Sequence, residues 1–210
     1  MLAPFFFAAV IAAGLAIDQQ FQPWGQAAVN AAVWILFLTL AFTRRGAERL
    51  ALLACLLYAW AGELVLSDVL GLYGYREGSV PLFVPPGHAL LLLVGTYVAA
   101  SSWQAALRFV PWAAAPLIAW ATWSGADVSA PWLFALYLLC VRFGPSPALY
   151  SAMFVLAIGM ELYGVWLGNW MWAAYLPNPP LAAGAFYCVL DWMVIATRNA
   201  WFRAAAARTA

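Results

Sequence analysis

Long apolar runs, interrupted at short intervals by polar residues, dominate this chain. A helix that crosses a bilayer needs about 20 mostly apolar residues. Only 8% of the 210 residues are charged, against roughly 25% in a soluble domain, so lipid has to cover most of the surface. We therefore expect an all-α integral membrane bundle of eight spans, at approximately 2–18, 26–43, 47–66, 86–102, 109–124, 130–143, 147–167 and 180–201.

Two parts of this span count need a separate argument. The first 17 residues, MLAPFFFAAVIAAGLAI, lack the positively charged start of a secretory signal, so they are predicted to stay as a helix. The fifth and sixth runs are separated only by SGADVSAP, so totals of six or seven spans also fit. The net charge of +1 and the absence of a basic run give no indication of a nucleic-acid partner.

Arginine is distributed unevenly between the two ends of the predicted spans. If the N-terminus is cytoplasmic, the outer loops hold only Arg76, and every other arginine falls at an inner end. Because cytoplasmic loops are enriched in Arg and Lys, this bias predicts eight spans with both termini in the cytoplasm. The inner arginines are Arg44, Arg45, Arg49, Arg108, Arg142, Arg198, Arg203 and Arg208.

Two polar segments with the same order of residue types interrupt the apolar pattern. In segment 71–91, Tyr73 and Tyr75 follow Glu63 and precede Pro85-Pro86. In segment 168–187, Trp170 and Trp172 follow Glu161 and precede Pro179-Pro180. This order predicts a parallel internal repeat of two four-helix halves, 1–102 and 103–210, within a single membrane domain.

Four ionisable residues fall within or at the mouths of predicted spans: Glu63, His88, Glu161 and Asp191. A charged side chain inside a spanning helix costs roughly 2.5–3.5 kcal/mol on insertion scales, so such residues usually face a partner or a site. At about 1.5 Å per residue, all four lie in the outer half of the membrane. Each residue also has an alternative interpretation without a site. Glu63 could reach the outer surface and His88 could cap its helix, while the deeper Glu161 and Asp191 could join helices by hydrogen bonds.

The four ionisable residues together predict acid/base chemistry. A carboxylic acid shielded from water can hold its proton and serve as a general acid, and a second carboxylate or a histidine can take a proton back. Glu161, Asp191, Glu63 and His88 are therefore the candidate catalytic residues. One histidine and scattered carboxylates match no metal-site spacing, and we expect no metal and no cofactor. The candidate substrate-binding residues are Tyr73, Tyr75, Arg76, Trp166, Trp170, Trp172 and Asn178, because aromatic faces stabilise cations.

The segments VPLFVPPGHALL and ELYGVWLGNWMW…NPPLAAGAFYCVLDW resemble a family of bacterial multi-pass membrane proteins of uncharacterised activity, in which Pro-Pro-Gly-His and Asn-Pro-Pro recur. This resemblance, mainly over 63–91 and 161–192, implies the bacterial cytoplasmic (inner) membrane. The order Glu, Gly-x-aromatic-x-aromatic, Val-Pro is also similar to membrane carotenoid hydratases. A Glu and Asp pair is similar to that of small integral-membrane terpene cyclases. Both similarities imply acid-initiated chemistry on an isoprenoid.

Three classes of function remain open from the sequence. The first is an enzyme that hydrates, cyclises or isomerises a lipid or isoprenoid. The second is a proton-coupled carrier of a lipid or small molecule, which parallel repeats and buried carboxylates would also suit. The third is an accessory or assembly subunit of a larger membrane complex. The expected partners are accordingly membrane lipids, a hydrophobic small molecule and other membrane subunits.

Overall fold

The computed structural model describes residues 3–207 and is 75% helical, which confirms the all-α prediction. The helices are α1 (Ala3–Gln20), α2 (Trp24–Thr43), α3 (Gly46–Glu63), α4 (Val84–Ala99), α5 (Gln104–Leu107), α6 (Val110–Trp123), α7 (Ala130–Phe143), α8 (Pro147–Leu167) and α9 (Gly184–Ala207). A π-helical segment, Leu64–Val69, continues α3, and the strands β1 (Tyr73–Tyr75) and β2 (Trp170–Trp172) interrupt the helical pattern.

Local sequence signals explain where several helices begin and end. The helices α4, α6, α7 and α8 each have proline in the first turn, where its missing N–H is not needed. Asp127 accepts hydrogen bonds from the backbone of Ser129 and Ala130 at the start of α7. Gly168 ends α8 with a φ of +82°, and the next N–H returns to the Gly164 carbonyl, the left-handed ending that glycine favours.

The structure supports a smaller number of membrane-capable helices than the sequence suggests. Within residues 3–207, three helical stretches are long and apolar enough to cross a membrane: Trp24–Thr43, Gly46–Val69 and Pro147–Leu167. A fourth is added if α4 and the stretch Gln104–Trp123, which meet at 102°, count as one bent span. The helices α6 and α7 have 14 residues each, about 21 Å, against a hydrocarbon thickness of about 30 Å. The total of eight spans therefore stays a prediction.

The centre of the bundle consists of α3, α4, α8 and α9, with α1 and α2 on one side and α6 and α7 on the other. One set of buried apolar side chains joins α1–α4 to α8 and α9, and includes Phe37, Leu52, Leu90 and Met153. A second set joins α6–α9. Small residues allow the central helices to approach closely, as where Gly184 faces the backbone of Phe154.

The two ends of the bundle differ in charge. Arg44, at the end of α2, and Arg198, on α9, line one cavity at the first end. The opposite end carries both strands and a cluster of Asp18, Arg76 and Asn169. This separation agrees with the uneven distribution of arginine that the sequence shows. Arg208, one of the predicted inner arginines, lies outside the described residues.

Candidate functional site

The two polar segments pair with each other in a short antiparallel ribbon. Tyr73 lies opposite Trp172, Gly74 opposite Met171, and Tyr75 opposite Trp170. If Tyr73 corresponds to Trp170 and Tyr75 to Trp172, as the repeat predicts, this pairing is reciprocal, like that of an interface with two-fold symmetry. Side chains alternate across a strand. The four aromatic side chains therefore point together toward the helices, while Gly74 and Met171 are exposed.

Two tyrosine hydroxyls of β1 converge on Glu63, which is buried at the end of α3. Tyr73 donates to Glu63 Oε2 over 2.9 Å, and Tyr75 donates to the same oxygen over 2.7 Å. Burial, with a further contribution from Glu63, raises the pKa of Tyr73 and Tyr75 above the ordinary value of a tyrosine. Both phenols therefore stay protonated and act as donors. The π-helical segment begins at the next residue, Leu64, and such segments are frequent at functional sites.

Glu161 is held in the corresponding way by β2. Trp170 Nε1 donates to Glu161 Oε2 over 2.8 Å, and Trp172 Nε1 donates to the same atom over 3.0 Å. Tyr187, on α9, donates its hydroxyl to Glu161 Oε1 over 2.9 Å. An indole N–H can only donate, so the three contacts together suit an ionised carboxylate that accepts hydrogen bonds.

His88 reaches Glu63 from the start of α4. Its Nε2 lies 3.4 Å from Glu63 Oε1, and its Nδ1 lies 2.9 Å from the carbonyl of Val84. A carbonyl only accepts, so Nδ1 carries a hydrogen and Nε2 faces the carboxyl group. Glu63 and His88 thus form a largely buried carboxyl–imidazole pair.

The rings of His88 and Tyr187 stack on each other and connect the two glutamates. Their centroids are 5.0 Å apart and their planes differ by 7°. His88 follows Glu63 by 25 positions and Tyr187 follows Glu161 by 26. We call Glu63, Tyr73, Tyr75, His88, Glu161, Trp170, Trp172 and Tyr187 the glutamate cluster.

Two cavities meet at the glutamate cluster, one on each side. The α1 cavity has apolar walls from α1, α2, α4 and α8, and the α3–α9 cavity lies between those two helices. Each has a volume of about 60 Å³. On this measure one water needs about 10–15 Å³, so each holds roughly four waters or a short part of a larger ligand. Both cavities are lined by Glu63, Tyr73, His88, Glu161 and Tyr187.

The two cavities differ in how they are covered. Helix α1 packs against α4 and α8 and closes the α1 cavity. The repeat would place α6 over the other cavity, against α9 and α3. Instead, α6 packs mainly on α7, and no comparable packing on α3 or α9 occurs among residues 3–207. The α3–α9 cavity therefore has the less covered mouth.

Asp191 does not belong to the glutamate cluster, although the sequence places it near mid-membrane. It lines neither cavity and is 0% exposed. Neither of its carboxylate oxygens has a hydrogen-bond partner among the described residues. Asp191 lies one helical turn beyond Tyr187 on α9, about 6 Å deeper along the axis. The structure thus brings together three of the four predicted catalytic residues.

Three of the predicted substrate-binding residues also lie outside the two cavities. Trp166 is 77% exposed on the bundle surface. Asn178 accepts a hydrogen bond from the backbone N–H of Trp172, so it supports the ribbon. Arg76 lies within 3.3 Å of both Asp18 and Glu77.

Tyr187, Asp18 and Asn169 take part in the arrangement without being among the predicted site residues. Asn169 donates to Asp18 Oδ2 over 2.8 Å and ties the ribbon to the end of α1. No local pattern marks this contact. Within residues 3–207, no group of three or more His, Cys, Asp or Glu side chains is placed to hold a metal ion.

Comparison with protein-family models, with curated proteins and with solved structures finds no match. What the glutamate cluster can do therefore follows from its geometry.

Proposed function

We propose that this protein is an integral membrane enzyme that performs acid/base chemistry on a lipid or isoprenoid. In this proposal the chain has eight spans in the bacterial cytoplasmic membrane, with both termini in the cytoplasm. The glutamate cluster then lies in the outer half of the bilayer. The observation that carries the proposal is the contact between Glu63 Oε1 and His88 Nε2, which lies beside Glu161 at the wall of an apolar cavity.

The first step is protonation of a carbon–carbon double bond. A proton held between Glu63 and His88 forms a new C–H bond with the alkene π electrons and leaves a carbocation on the neighbouring carbon. The Glu161 carboxylate stabilises that positive charge electrostatically. The aromatic rings around both cavities contribute through their negative faces. These residues act on a segment of chain that occupies the α1 cavity, whose other walls are apolar.

The second step discharges the cation. In a hydration, the oxygen of a water molecule forms a C–O bond and passes one of its protons to the base of the pair, which restores the starting state. In an isomerisation or cyclisation, the cation loses a neighbouring proton to the same base. The α3–α9 cavity, with its less covered mouth, supplies the route for water or for the chain itself.

Removal of the transferable proton tests this proposal. In a strain that lacks the protein, Glu63→Gln and His88→Gln should fail to restore the lipid profile of the parent, because neither variant keeps the carboxyl–imidazole pair. The measurement is mass spectrometry of lipid extracts beside the complemented strain. Asp68→Asn is the control, because Asp68 is exposed and lines neither cavity. Full restoration by both cluster variants, at normal protein level, would show that the assignment is wrong.

Three helical glycines allow the cavities to be tested separately. A Cβ atom at Gly87, Gly62 or Gly159 would meet nothing within 4 Å. Gly87 lines the α1 cavity, Gly62 lines the α3–α9 cavity, and Gly159 is exposed on α8. Gly87→Leu should abolish product formation and Gly62→Leu should slow it, whereas Gly159→Leu should change neither. Equal activity in all three variants would show that neither cavity takes part in the reaction.

A proton-coupled carrier is the second candidate, and one observation favours it. The same carboxyl–imidazole pair borders two cavities, an arrangement in which a protonation change can accompany ligand passage. Purified protein in proteoliposomes distinguishes the two classes. A carrier moves protons when its substrate is added and releases that substrate unchanged, whereas the enzyme releases a chemically altered lipid.

A further inference from the structure

A third cavity lies far from the glutamate cluster, at the arginine-rich end of the bundle. It has a volume of about 140 Å³ and lies among α3, α4 and α9. Arg44 and Arg198 border it, with Tyr97 nearby on α4, and Leu52, Leu92 and Ile195 contribute apolar walls. The two arginines belong to distant parts of the sequence, so only the fold brings them to one place.

The charge at this cavity is unbalanced. Glu48 is the one carboxylate among its lining residues, and it binds Arg44 over 2.9 Å in an exposed pair four positions apart on the chain. Such exposed pairs contribute little to stability, so another anion can compete with Glu48. Arg198 donates to the neutral side chain of Asn199 over 3.0 Å. The cavity is therefore lined by two guanidinium groups and one carboxylate, which contacts Arg44 alone among the two. An anion bound between Arg44 and Arg198 would be attracted by both.

The position and shape of the cavity narrow the choice of anion. It lies where α2 ends, α3 begins and α4 approaches its end, at the level of a lipid headgroup for helices that cross the membrane. Arginine binds phosphate through charge-assisted, often paired hydrogen bonds. The apolar walls below suit hydrocarbon. Basic pockets between helices on the cytoplasmic side bind acidic lipid headgroups.

We propose that this cavity binds an anionic phospholipid of the leaflet at the arginine-rich end. The phosphate lies between Arg44 and Arg198, and the start of an acyl chain lies along Leu92 and Ile195. This site is separate from the proposed catalytic function, because it shares no lining residue with the two cavities at the glutamate cluster.

Purified full-length protein in a mild neutral detergent tests the site. Phosphatidylglycerol should raise the thermal unfolding temperature, whereas phosphatidylcholine and inorganic phosphate should not. The double variant Arg44→Gln/Arg198→Gln should lose most of that rise and should retain less phosphatidylglycerol in native mass spectrometry. The matched control is Arg45→Gln/Arg203→Gln, which removes two exposed arginines that line no cavity near the site; it should behave as the unmodified protein does.

Three outcomes would overturn the proposal. An equal effect of phosphatidylcholine would remove the need for an anionic headgroup. An equal effect of inorganic phosphate would make the ligand a free anion instead of a lipid. An equal loss in the control variant would show that the whole basic surface, and not this cavity, attracts the lipid.

Discussion

His88 and Tyr187 stack face to face, with ring centroids 5.0 Å apart and planes within 7° of parallel. Each ring also contacts the glutamate of its own half of the chain, at 3.4 Å for His88 and Glu63 and at 2.9 Å for Tyr187 and Glu161. The stack therefore connects two carboxyl groups whose surroundings differ. Glu161 faces three hydrogen-bond donors, whereas Glu63 faces two phenol donors and the imidazole of His88.

Replacement of Glu161 or Glu63 by glutamine should lower the free energy of unfolding by different amounts. In Glu161→Gln, the amide oxygen can keep the two indole donors, but the charge is lost and the N–H₂ group replaces the oxygen that accepts from Tyr187, whose hydroxyl has to turn and accept instead. Hydrogen bonds to charged groups contribute about 1.5–3 kcal/mol, and we expect a loss of that size in the free energy of unfolding. Glu63→Gln should lose less, because its amide can donate to His88. Thermal and denaturant unfolding in detergent, followed by circular dichroism, measures both. Equal losses would contradict the difference in surroundings.

Replacement of Asp191 should stabilise the protein. This side chain is fully buried, and its carboxyl oxygens lack a hydrogen-bond partner in the part of the chain that the structure describes. Mutational data give a cost of about 1–3 kcal/mol for burying an unpaired polar group. Asp191→Leu should therefore raise the unfolding temperature, and Asp191→Asn should change it little. A fall in stability with both variants would show that Asp191 has an essential partner. A rise in unfolding temperature together with loss of product would show that Asp191 takes part in catalysis.

The contact between Asp18 and Arg76 should hold the ribbon to the end of α1. The guanidinium lies 3.3 Å from the Asp18 carboxylate, which also accepts from Asn169. Loss of one partner from a buried pair costs about 3–5 kcal/mol; Arg76 keeps some exposure, so we expect about 2–3 kcal/mol for Asp18→Asn or Arg76→Gln.

A double-mutant cycle at these two positions measures the coupling. The variant Asp18→Asn/Arg76→Gln should be less destabilised than the sum of the two single changes. Glu77→Gln is the control, because the Glu77 carboxylate is 42% exposed and exposed pairs contribute about 0–1 kcal/mol. Strict additivity would show that the 3.3 Å contact contributes no coupling.

The tyrosines of β1 should make stability fall at high pH. Burial raises the pKa of both Tyr73 and Tyr75 in the folded protein, while an unfolded tyrosine titrates near about 10. Above that pH the unfolded chain loses protons that the folded state retains, so stability is complete below about pH 10 and declines as the pH rises further. Tyr75→Phe should make this decline in unfolding temperature shallower. An unchanged slope between about pH 9 and 11.5 would exclude a contribution from Tyr75.

The helices of the central bundle were predictable because their causes are local. Uninterrupted apolar residues form helices in any low-polarity surrounding, and prolines mark the starts of α4, α6, α7 and α8. The predicted run 147–167 coincides with α8. The run 109–124 was less informative, since composition does not reveal that α6 has only 14 residues or that it meets α4 at a sharp bend.

The helical, membrane-like composition, the two related segments and the short set of ionisable residues follow from the amino-acid order alone. That order gives depth along one helix, but not the direction in which a side chain points, because lipid-facing and core-facing positions are equally apolar. Three relationships could be seen only in the folded protein: Tyr73 lies opposite Trp172, Arg76 contacts Asp18, and Asp191 lies apart from Glu161. These relationships depend on how helices distant in sequence rotate and pack against one another, and no local pattern encodes that rotation.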